Sequence, residues 1–431
     1  MHTLADLRAG RLAGIERLDL SCGLEQFPPE IFELADTLRV LNLSGNALDQ
    51  LPDDLYRLHR LEVLFASENR FTELPSALGR CKRLSMIGFK ANRIEHVPPQ
   101  ALPAHLRWLI LTDNHLESLP EQLGHCSDLQ KLMLAGNRLR SLPASLANCH
   151  RLELLRIASN RLYTLPDWLL SMPALAWLAH AGNPFSTCPA PARIRRIPWR
   201  QLTVSQQLGE GASGIIQQGQ WQSEEGSRPV AIKLYKGELT SDGSPLDEMQ
   251  ACMAAATHPQ LIDVLGEITD HPEQRRGLVM GLIDPEWSNL AGPPSLDSCT
   301  RDCYPADLTL DLPALMRLAT GIAAVTAHLH ARSLTHGDLY AHNILWQPDG
   351  RCLLGDFGAA AFHPAAAQAQ ALERIEVRAF GILLQELLDR CPAASDESRL
   401  QALAQACRQD QVLARPAMHE VHRRLLQLSE A

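Results

Sequence analysis

The chain has 431 residues, of which 45% are hydrophobic and 21% are charged, and its formal net charge at pH 7 is −9. These values exclude wholesale disorder, argue against a general nucleic-acid binder and allow two or three domains. The N-terminus lacks the apolar core of a secretory signal, and no stretch approaches the roughly 20 apolar residues of a transmembrane helix. Eleven scattered cysteines indicate reduced thiols. We therefore expect a cytoplasmic protein without a transmembrane segment.

Asparagine recurs every 22 or 23 residues in the first half of the chain, within the pattern LxxLxLxxNxL. The repeated asparagines are Asn46, Asn69, Asn92, Asn114, Asn137, Asn160 and Asn183. Alternation within LxL predicts a short strand with one buried face, and the asparagine can satisfy main-chain groups where the chain leaves the strand. Because one repeat cannot bury its apolar face alone, neighbouring repeats must share a core.

This pattern resembles the leucine-rich-repeat family over about residues 15–185, with residues 1–14 as an N-terminal cap. The resemblance implies a solenoid with a curved parallel sheet, and we assign residues 1–185 to it. Cys81, Cys126 and Cys149 stand at equivalent positions of their repeats. We expect them to form a ladder of small buried residues, because free cysteine packs as a small hydrophobe.

The register predicts which strand residues face outward on the concave side of the solenoid, and most of them are apolar. They are Val40, Val63, Phe65, Met86, Trp108, Ile110, Met133, Leu154 and Trp177. This stripe is typical of a face that binds a protein substrate or regulator. Two other interpretations are that neighbouring strands shield one another, or that the second domain folds back over the stripe.

The repeats stop at Asn183, and residues 184–200 contain four prolines and four arginines. We predict a semi-rigid extended linker over residues 186–200 and a second domain over residues 201–431. The oligomeric state is not predicted.

The second domain begins with a glycine-rich motif, in which Gly209, Gly211 and Gly214 give GxGxxG. Ile215 and Ile216 follow the motif as strand-forming residues, which favours a flap over phosphate groups rather than a dinucleotide-binding turn into a helix. Lys233 ends the apolar strand VAIK, where a lysine can place its charge on the phosphates. Glu248 is expected to hold this ammonium group, with the adjacent Asp247 as the alternative carboxylate.

Two later segments, LTHGDLYAHN and GDFG, establish a resemblance to protein kinases over about residues 203–428. The resemblance implies that Asp338 is the catalytic base, with Lys233 and Glu248 as its catalytic partners. It also implies ATP and Mg²⁺ as cofactors, with Asn343 and Asp356 as metal ligands. The expected fold class is therefore α/β, a leucine-rich-repeat solenoid followed by a two-lobed α+β kinase-like domain.

The same resemblance implies a nucleotide site that runs from the glycine motif to a hinge after the gatekeeper position, Met280. Its residues are Gly209, Glu210, Gly211, Ala212, Ser213, Gly214, Ile216, Ala231, Lys233, Met280, Gly281 and Leu282.

The kinase pattern is altered around the catalytic loop. Gly337 replaces the arginine that usually precedes the catalytic aspartate, and Tyr340 replaces the lysine of serine/threonine kinases. Only residues 359–375 separate the GDFG segment from Glu376, which stands in place of an aspartate ahead of a helix. Residues 356–376 contain no serine, threonine or tyrosine, and no clear Ala-Pro-Glu motif is present. In the kinase pattern, Arg415 would pair with the glutamate of that motif. It must therefore find another partner here, for which we consider Glu373.

The interpretation favoured by the sequence is an ATP- and Mg²⁺-dependent protein kinase that phosphorylates hydroxyl groups, with serine and threonine preferred over tyrosine. The repeats would bind a protein substrate or regulator. One alternative is a pseudokinase scaffold, which the short segment over residues 359–375 supports. The other is a small-molecule phosphotransferase of the aminoglycoside-phosphotransferase kind, since His336, Gly337 and Asp338 also fit that pattern.

Overall fold

The computed structural model describes residues 2–186, 194–211, 213–236, 239–363, 366–394 and 397–429, with the main chain alone at 366 and 367. The chain divides into two compact units, Met1–Ala174 and Leu175–Ala431. The last repeat strand therefore belongs to the second unit. The domain limits predicted at residues 185 and 200 stay a prediction, and residues 187–193 of the predicted linker lie outside the described residues.

The first unit opens with helix α1 (Leu4–Arg8), which Thr3 caps by accepting a hydrogen bond from the Asp6 amide. Seven strands of three residues follow and pair in chain order as a parallel sheet. They are β1 (Arg17–Asp19), β2 (Val40–Asn42), β3 (Val63–Phe65), β4 (Met86–Gly88), β5 (Trp108–Ile110), β6 (Lys131–Met133) and β7 (Leu154–Arg156). His2 exchanges hydrogen bonds with Asp19 on β1, so the N-terminal residues are attached to the first strand of the sheet.

Short 3₁₀ helices return the chain from one strand to the next. They are Pro29–Leu34, Leu55–Arg57, Ser76–Arg80, Pro99–Ala101, Glu121–His125, Ala144–Asn148 and Leu169–Ser171. The leucines of the repeat fill the space between strands and 3₁₀ helices, and Leu41, Leu64 and Leu109 are completely buried. Each repeat therefore contributes one layer to a continuous core.

The asparagines form the predicted ladder of main-chain hydrogen bonds. In one repeat, Asn69 Nδ2 donates to Leu43 O at 2.9 Å and to Ala66 O at 3.1 Å, and its Oδ1 accepts from the Leu48 amide at 2.9 Å. Asn69 thus joins its own repeat to the preceding one. Because these main-chain groups are buried, each would cost free energy if left without a partner.

The cysteine ladder is confirmed. Cys81, Cys126 and Cys149 are free and buried, and the Cys149 thiol donates to Cys126 O at 3.7 Å. Burial raises the pKa of Cys81 and Cys126 to about 11 and that of Cys149 to about 12. These residues therefore stay protonated and serve packing.

None of the nine predicted stripe residues is exposed. In the first unit, neighbours shield one another: Trp108 Nε1 donates to Met133 Sδ at 3.3 Å, and Lys131 Nζ lies 4.5 Å from the centre of the Trp108 ring. The Phe65 ring covers Gly88, where a Cβ atom would lie 2.5 Å from the ring. Five members of the stripe stay half-buried and keep an accessible edge: Val40, Phe65, Trp108, Ile110 and Met133.

The second unit contains the last repeat strand and a mixed sheet with one helix beside it. Its first elements are β8 (Trp177–Ala179), β9 (Arg196–Pro198), β10 (Leu202–Glu210), β11 (Gly214–Ser223), β12 (Gly226–Tyr235), α2 (Pro245–Ala255), β13 (Val264–Thr269) and β14 (Gly277–Gly281). The sheet order is β10-β11-β12-β14-β13-β9. Trp221, Val230, Ile232 and Val279 form the centre of its core.

The rest of the second unit is mainly helical. It comprises β15 (Ser288–Asn289), α3 (Leu312–His330), β16 (Leu334–Thr335), β17 (Ile344–Trp346), β18 (Cys352–Leu354), β19 (Ala361–Phe362), α4 (Ala366–Leu388), α5 (Ser398–Arg408) and α6 (Met418–Ser429). Two small sheets carry the loops of the site: β15-β17-β18 and β16-β19. A repeat sheet followed by a two-lobed α+β unit is the predicted fold class.

The prediction that no segment reaches bilayer length and apolarity is wrong for α3. Among the described residues, this 19-residue helix is the one that meets both criteria. It packs against α6 and β18, and 56% of its apolar window is buried inside the second unit. This pattern is that of a core helix, in which apolarity serves packing.

Candidate active site

The glycine motif lies on a tight connection between β10 and β11. The two strands pair up to Gly209–Ile216 and Glu210–Ile215, and the Gly211 amide donates to Gly214 O at 2.9 Å. A Cβ atom on Gly214 would lie 2.6 Å from Leu234 O, so a side chain does not fit there. Positions Gly209 and Gly211 face open space, which leaves their main chain accessible to a ligand. Ser213 is half-buried beside them, and Ala212 lies outside the described residues.

An ion pair that sequence reasoning missed braces this connection. Lys236 Nζ lies 2.7 Å from Glu210 Oε1 and donates to Gly211 O at 3.3 Å. The hydrogen bond from Lys236 holds the pKa of the Glu210 carboxyl below its ordinary value. Both residues are visible in the sequence, but only the pairing of β11 with β12 brings position 236 next to the glycine motif.

Lys233, on β12, forms a buried ion pair with Glu248 on α2. The Glu248 side chain is 1% exposed, and the adjacent Asp247 is not the carboxylate in this pair. Burial opposes the charge on Lys233, but the negative charges of Glu248 and nearby Asp356 keep the lysine pKa above its ordinary value. The ammonium group is therefore held charged in a setting where it can neutralise phosphate oxygens.

The paired groups line a partly open cavity of about 100 Å³. Its walls combine both lobes: Lys233, Glu248 and Met280 lie on one side, and Asp356 and Phe357 lie on the other. Phe357 packs edge-on against the His336 ring, with 5.1 Å between ring centres.

The predicted hinge follows β14. Met280 pairs with Ala231, and Gly281 pairs with Val230, so the hinge continues the central strands of the sheet. The Gly281 amide donates to Asp263 O at 2.9 Å and is engaged within the protein. A nucleotide base bound here would have to take its hydrogen bonds from other groups of the predicted hinge, which continues at Leu282.

The catalytic loop runs from β16 to β17 and is held together by Asn343. Its Nδ2 donates to Asp338 O at 2.9 Å and to Asp338 Oδ2 at 2.8 Å. His336 Nε2 lies 2.8 Å from Gly355 O, and the Gly355 amide donates to Asn343 O at 2.9 Å. These bonds connect the loop to the segment that carries Asp356.

Asp356 is exposed and adopts a left-handed conformation with φ +52°, and the Gly358 amide donates to its Oδ1 at 3.1 Å. The amide nitrogen of Asn343 is committed to Asp338, which leaves the Asn343 Oδ1 oxygen for a cation. Among the described residues no cluster of three or more His, Cys, Asp or Glu side chains is arranged to hold a metal ion. One carboxylate and one amide oxygen fit Mg²⁺, which keeps several waters and phosphate oxygens as its other ligands.

Glu376 supports the catalytic loop from the helical side. Its Oε1 accepts a hydrogen bond from the Gly337 amide at 2.7 Å, and its Oε2 lies 2.8 Å from His330 Nε2. Burial alone would raise the pKa of Glu376, but the bonds from His330 and Gly337 hold this pKa below its ordinary value. The glutamate is therefore a buried carboxylate that fixes the residue before Asp338.

The short segment over residues 359–375 differs from its prediction in one respect. We expected residues 359–375 to separate the GDFG segment from Glu376, and Glu376 to stand ahead of a helix. Instead, β19 pairs with β16 soon after Gly358, and α4 begins at Ala366, so Glu376 lies inside the helix. The helix extends backwards because residues 366–373 are rich in alanine, glutamine and glutamate, which favour helix. Residues 364 and 365 lie outside the described residues.

Arg415 is buried and uses main-chain partners. Its Nε donates to Gln409 O at 2.8 Å, and its Nη1 donates to Arg374 O at 3.0 Å. Burial lowers the pKa of Arg415 to about 10. The pairing with Glu373 that we considered is therefore not needed to explain how this guanidinium is held.

Trp177 was predicted to face outward in the repeat stripe as part of a binding face, but the side chain is covered and is not available to a partner. The side chain is 1% exposed, its Nε1 donates to Leu339 O at 3.0 Å, and its ring stacks on Tyr340. The repeat pattern placed Trp177 on the concave side of its strand, but it could not show what lies against that side.

Comparisons with known proteins agree with both halves of this architecture. The family model described as protein tyrosine and serine/threonine kinase matches residues 202–375. Leucine-rich-repeat family models match residues 37–58 and 104–162.

Individual relatives cover part of the chain. An Arabidopsis thaliana protein named as an LRR receptor-like serine/threonine-protein kinase is 26% identical over 178 residues, 39% of this chain and 27% of that protein. The Spongilla lacustris tyrosine-protein kinase SRK2 is 31% identical over 159 residues, 37% of this chain and 39% of that protein. The chain thus spans less than two fifths of the length of either kinase.

Among solved structures, a Leptospira interrogans LRR protein is 27% identical and covers 42% of this chain and 53% of its own, with a TM-score of 0.38. That score is too low to bear on the fold, which rests on the strand order of the repeat sheet.

Proposed function

We propose that this chain, which joins leucine-rich repeats to a protein kinase domain, transfers the γ-phosphoryl group of ATP to hydroxyl groups of protein substrates. The observation that carries the proposal is the cavity wall shared by Lys233, Glu248 and Asp356, which places a fixed cation beside a carboxylate suited to a metal. A charged lysine that is held by a buried glutamate has its geometry set before a phosphate arrives.

Each residue of the site supplies one part of this chemistry. Lys233 presents positive charge to phosphate oxygens, while the accessible main chain at Gly209 and Gly211 can approach them closely. Asp338, oriented by Asn343, accepts the proton of the attacking hydroxyl. Mg²⁺ held by Asn343 and Asp356 would neutralise charge on the phosphates when bound.

We infer that serine and threonine are the preferred acceptors. The support is the name of the Arabidopsis relative, which includes both leucine-rich repeats and a serine/threonine-protein kinase. This chain also combines repeats with a kinase-like sequence. The Spongilla relative is named as a tyrosine kinase, so an assay must offer both kinds of hydroxyl.

We further propose that the repeats bind the protein substrate or a regulator through the half-buried stripe around Trp108 and Met133. Aromatic and methionine side chains are enriched in protein interfaces. Because the segment after Gly358 passes into α4 within a few residues, the second unit offers little chain to seat a substrate peptide. A second binding face would raise the effective concentration of the acceptor at Asp338.

The same short segment favours one second candidate, a pseudokinase scaffold that binds partners without phosphoryl transfer. The two candidates differ in turnover. The full-length chain should be incubated with radiolabelled ATP, with and without Mg²⁺, and with a generic protein acceptor that carries Ser, Thr and Tyr.

The proposal predicts Mg²⁺-dependent label on protein, mainly as phosphoserine and phosphothreonine. ATP binding without any transfer would favour the scaffold. Transfer to small hydroxyl compounds but not to protein would favour a small-molecule phosphotransferase.

A further inference from the structure

The geometry points to Trp177, on the last repeat strand, as a positioning residue that holds the catalytic loop in the orientation needed for transfer. This inference rests on the proposed function. Trp177 touches no group that reacts, so its effect must pass through the two residues that follow Asp338.

Trp177 holds those two residues in different ways. Its Nε1 donates to Leu339 O at 3.0 Å, which fixes the direction of that carbonyl. Its ring lies parallel to the Tyr340 ring, with 4.2 Å between centres and 8° between planes. Trp177 and Tyr340 are both buried, so water does not compete for these contacts. Together the bond and the stack leave the main chain at 339–340 little freedom to rotate.

The same strand fixes the residue on the other side of Asp338. Gly337 has φ +74°, and a Cβ atom there would lie 2.7 Å from Leu178 O and 2.5 Å from Ala359 O. The absence of an arginine at this position therefore has a steric cause, because the main chain of β8 occupies the space that a side chain would need. The Gly337 amide is held by Glu376 at the same time.

The far end of the loop is tied down by a carboxylate. Asp302 Oδ1 lies 2.7 Å from His342 Nδ1, and Asp302 Oδ2 accepts from the His342 amide at 3.2 Å. The neighbouring Arg301 lies over the Trp177 ring at 5.5 Å. The loop is thus held at 337, 339, 340 and 342: Trp177 holds 339 and 340, Leu178 of β8 lies against 337, and Asp302 holds 342.

The test uses the full-length chain with Trp177→Leu, which removes both contacts, and Trp177→Phe, which keeps an aromatic ring but not the donor. Trp168→Leu is the control, because Trp168 is a half-buried tryptophan of the first unit. Two kinds of measurement are made: kcat with KM for ATP, and hydrogen exchange at the amides of His342, which donates to Asp302, and Asn343, which donates to Tyr340 O.

We expect Trp177→Leu to lower kcat by about 10- to 100-fold, because misplacement of a catalytic group by about 1 Å costs rates of that order. KM for ATP should stay within about twofold, since Lys233 and the glycine motif are untouched. Exchange at the two amides should become faster, Trp177→Phe should fall between Trp177→Leu and the wild type, and Trp168→Leu should change neither quantity.

Unchanged kcat and unchanged exchange in Trp177→Leu would overturn the inference. If Trp177→Leu does not fold, Trp177→Phe decides, with ATP affinity as the check on folding. If the wild type transfers no phosphate, the proposed function fails while the exchange rates still test the positioning role.

Discussion

The Gly337 amide donates a hydrogen bond to the Glu376 carboxylate over 2.7 Å, so the residue before Asp338 is fixed to the interior of helix α4. The second oxygen of Glu376 is held by His330. The loop that carries Asp338 is therefore held by the buried negative charge of Glu376, which lies 39 positions after Gly337.

Glu376→Gln should destabilise the protein by about 2 kcal/mol at pH 7, because hydrogen bonds to buried charged groups contribute on that order. The folded-state pKa of Glu376 lies below the ordinary 4.5, so the ionised side chain stabilises the fold above that pH. This contribution is lost as pH falls through the folded-state pKa. Denaturant unfolding at pH 7 and at pH 3.5 measures the change. A difference between wild type and variant that grows as pH falls would contradict this assignment.

Glu248→Gln should weaken ATP binding and lower the free energy of unfolding by about 3 kcal/mol, since it leaves the Lys233 ammonium buried without its partner. Asp247→Asn is the matched control, because Asp247 is the neighbouring carboxylate outside the ion pair. Calorimetric titration with ATP and thermal unfolding of both variants provide the measurement. Equal losses in the two variants would show that the pair does not have the role assigned to it.

Activity should survive treatment with a broad-specificity phosphatase. Residues 356–376 contain no hydroxyl-bearing side chain, and Gly337 provides no cation to receive a phosphate. Within this segment, Ala361 and Phe362 are held by the pairing of β19 with β16. The assay compares initial rates before and after treatment, with removal of phosphate verified by mass spectrometry. A loss of rate that tracks one phosphorylated residue would reveal a switch outside this segment.

Trp108→Ala combined with Met133→Ala should weaken capture of protein partners by the full-length chain while ATP affinity stays unchanged. The two side chains contact each other, and truncation of an aromatic anchor at an interface often costs about 2 kcal/mol or more of binding free energy. Tyr163→Ala is the control, because Tyr163 is 72% exposed and lies outside the stripe. Capture from the source lysate and phosphorylation of the captured proteins are measured together. Undiminished phosphorylation of the same proteins would show that the stripe does not bind these substrates.

The periodic part of the fold could be predicted in detail because each repeat encodes its own strand, turn and asparagine. Local signals also sufficed for Lys233, since a lysine at the end of an apolar strand requires a partner, and Glu248 lies on the next helix. Two features depend on contacts between residues that are distant in the sequence. Trp177 and Leu339 are 162 positions apart, and Lys236 meets Glu210 only through strand pairing. The backward extension of α4 was missed because a family resemblance was given more weight than the helix-forming residues after position 366.

The central claim is that Asp338 performs transfer and Asp356 holds the metal, and one comparison tests it most directly. Phosphate transfer from radiolabelled ATP and affinity for Mg²⁺-ATP should be measured for wild type, Asp338→Asn and Asp356→Asn, with Asp349→Asn as an exposed control. We predict that Asp338→Asn keeps wild-type nucleotide affinity but loses transfer by at least about 100-fold. Asp356→Asn should lose both Mg²⁺-dependent affinity and transfer, and the control should lose neither. Equal transfer by wild type and Asp338→Asn would contradict the account.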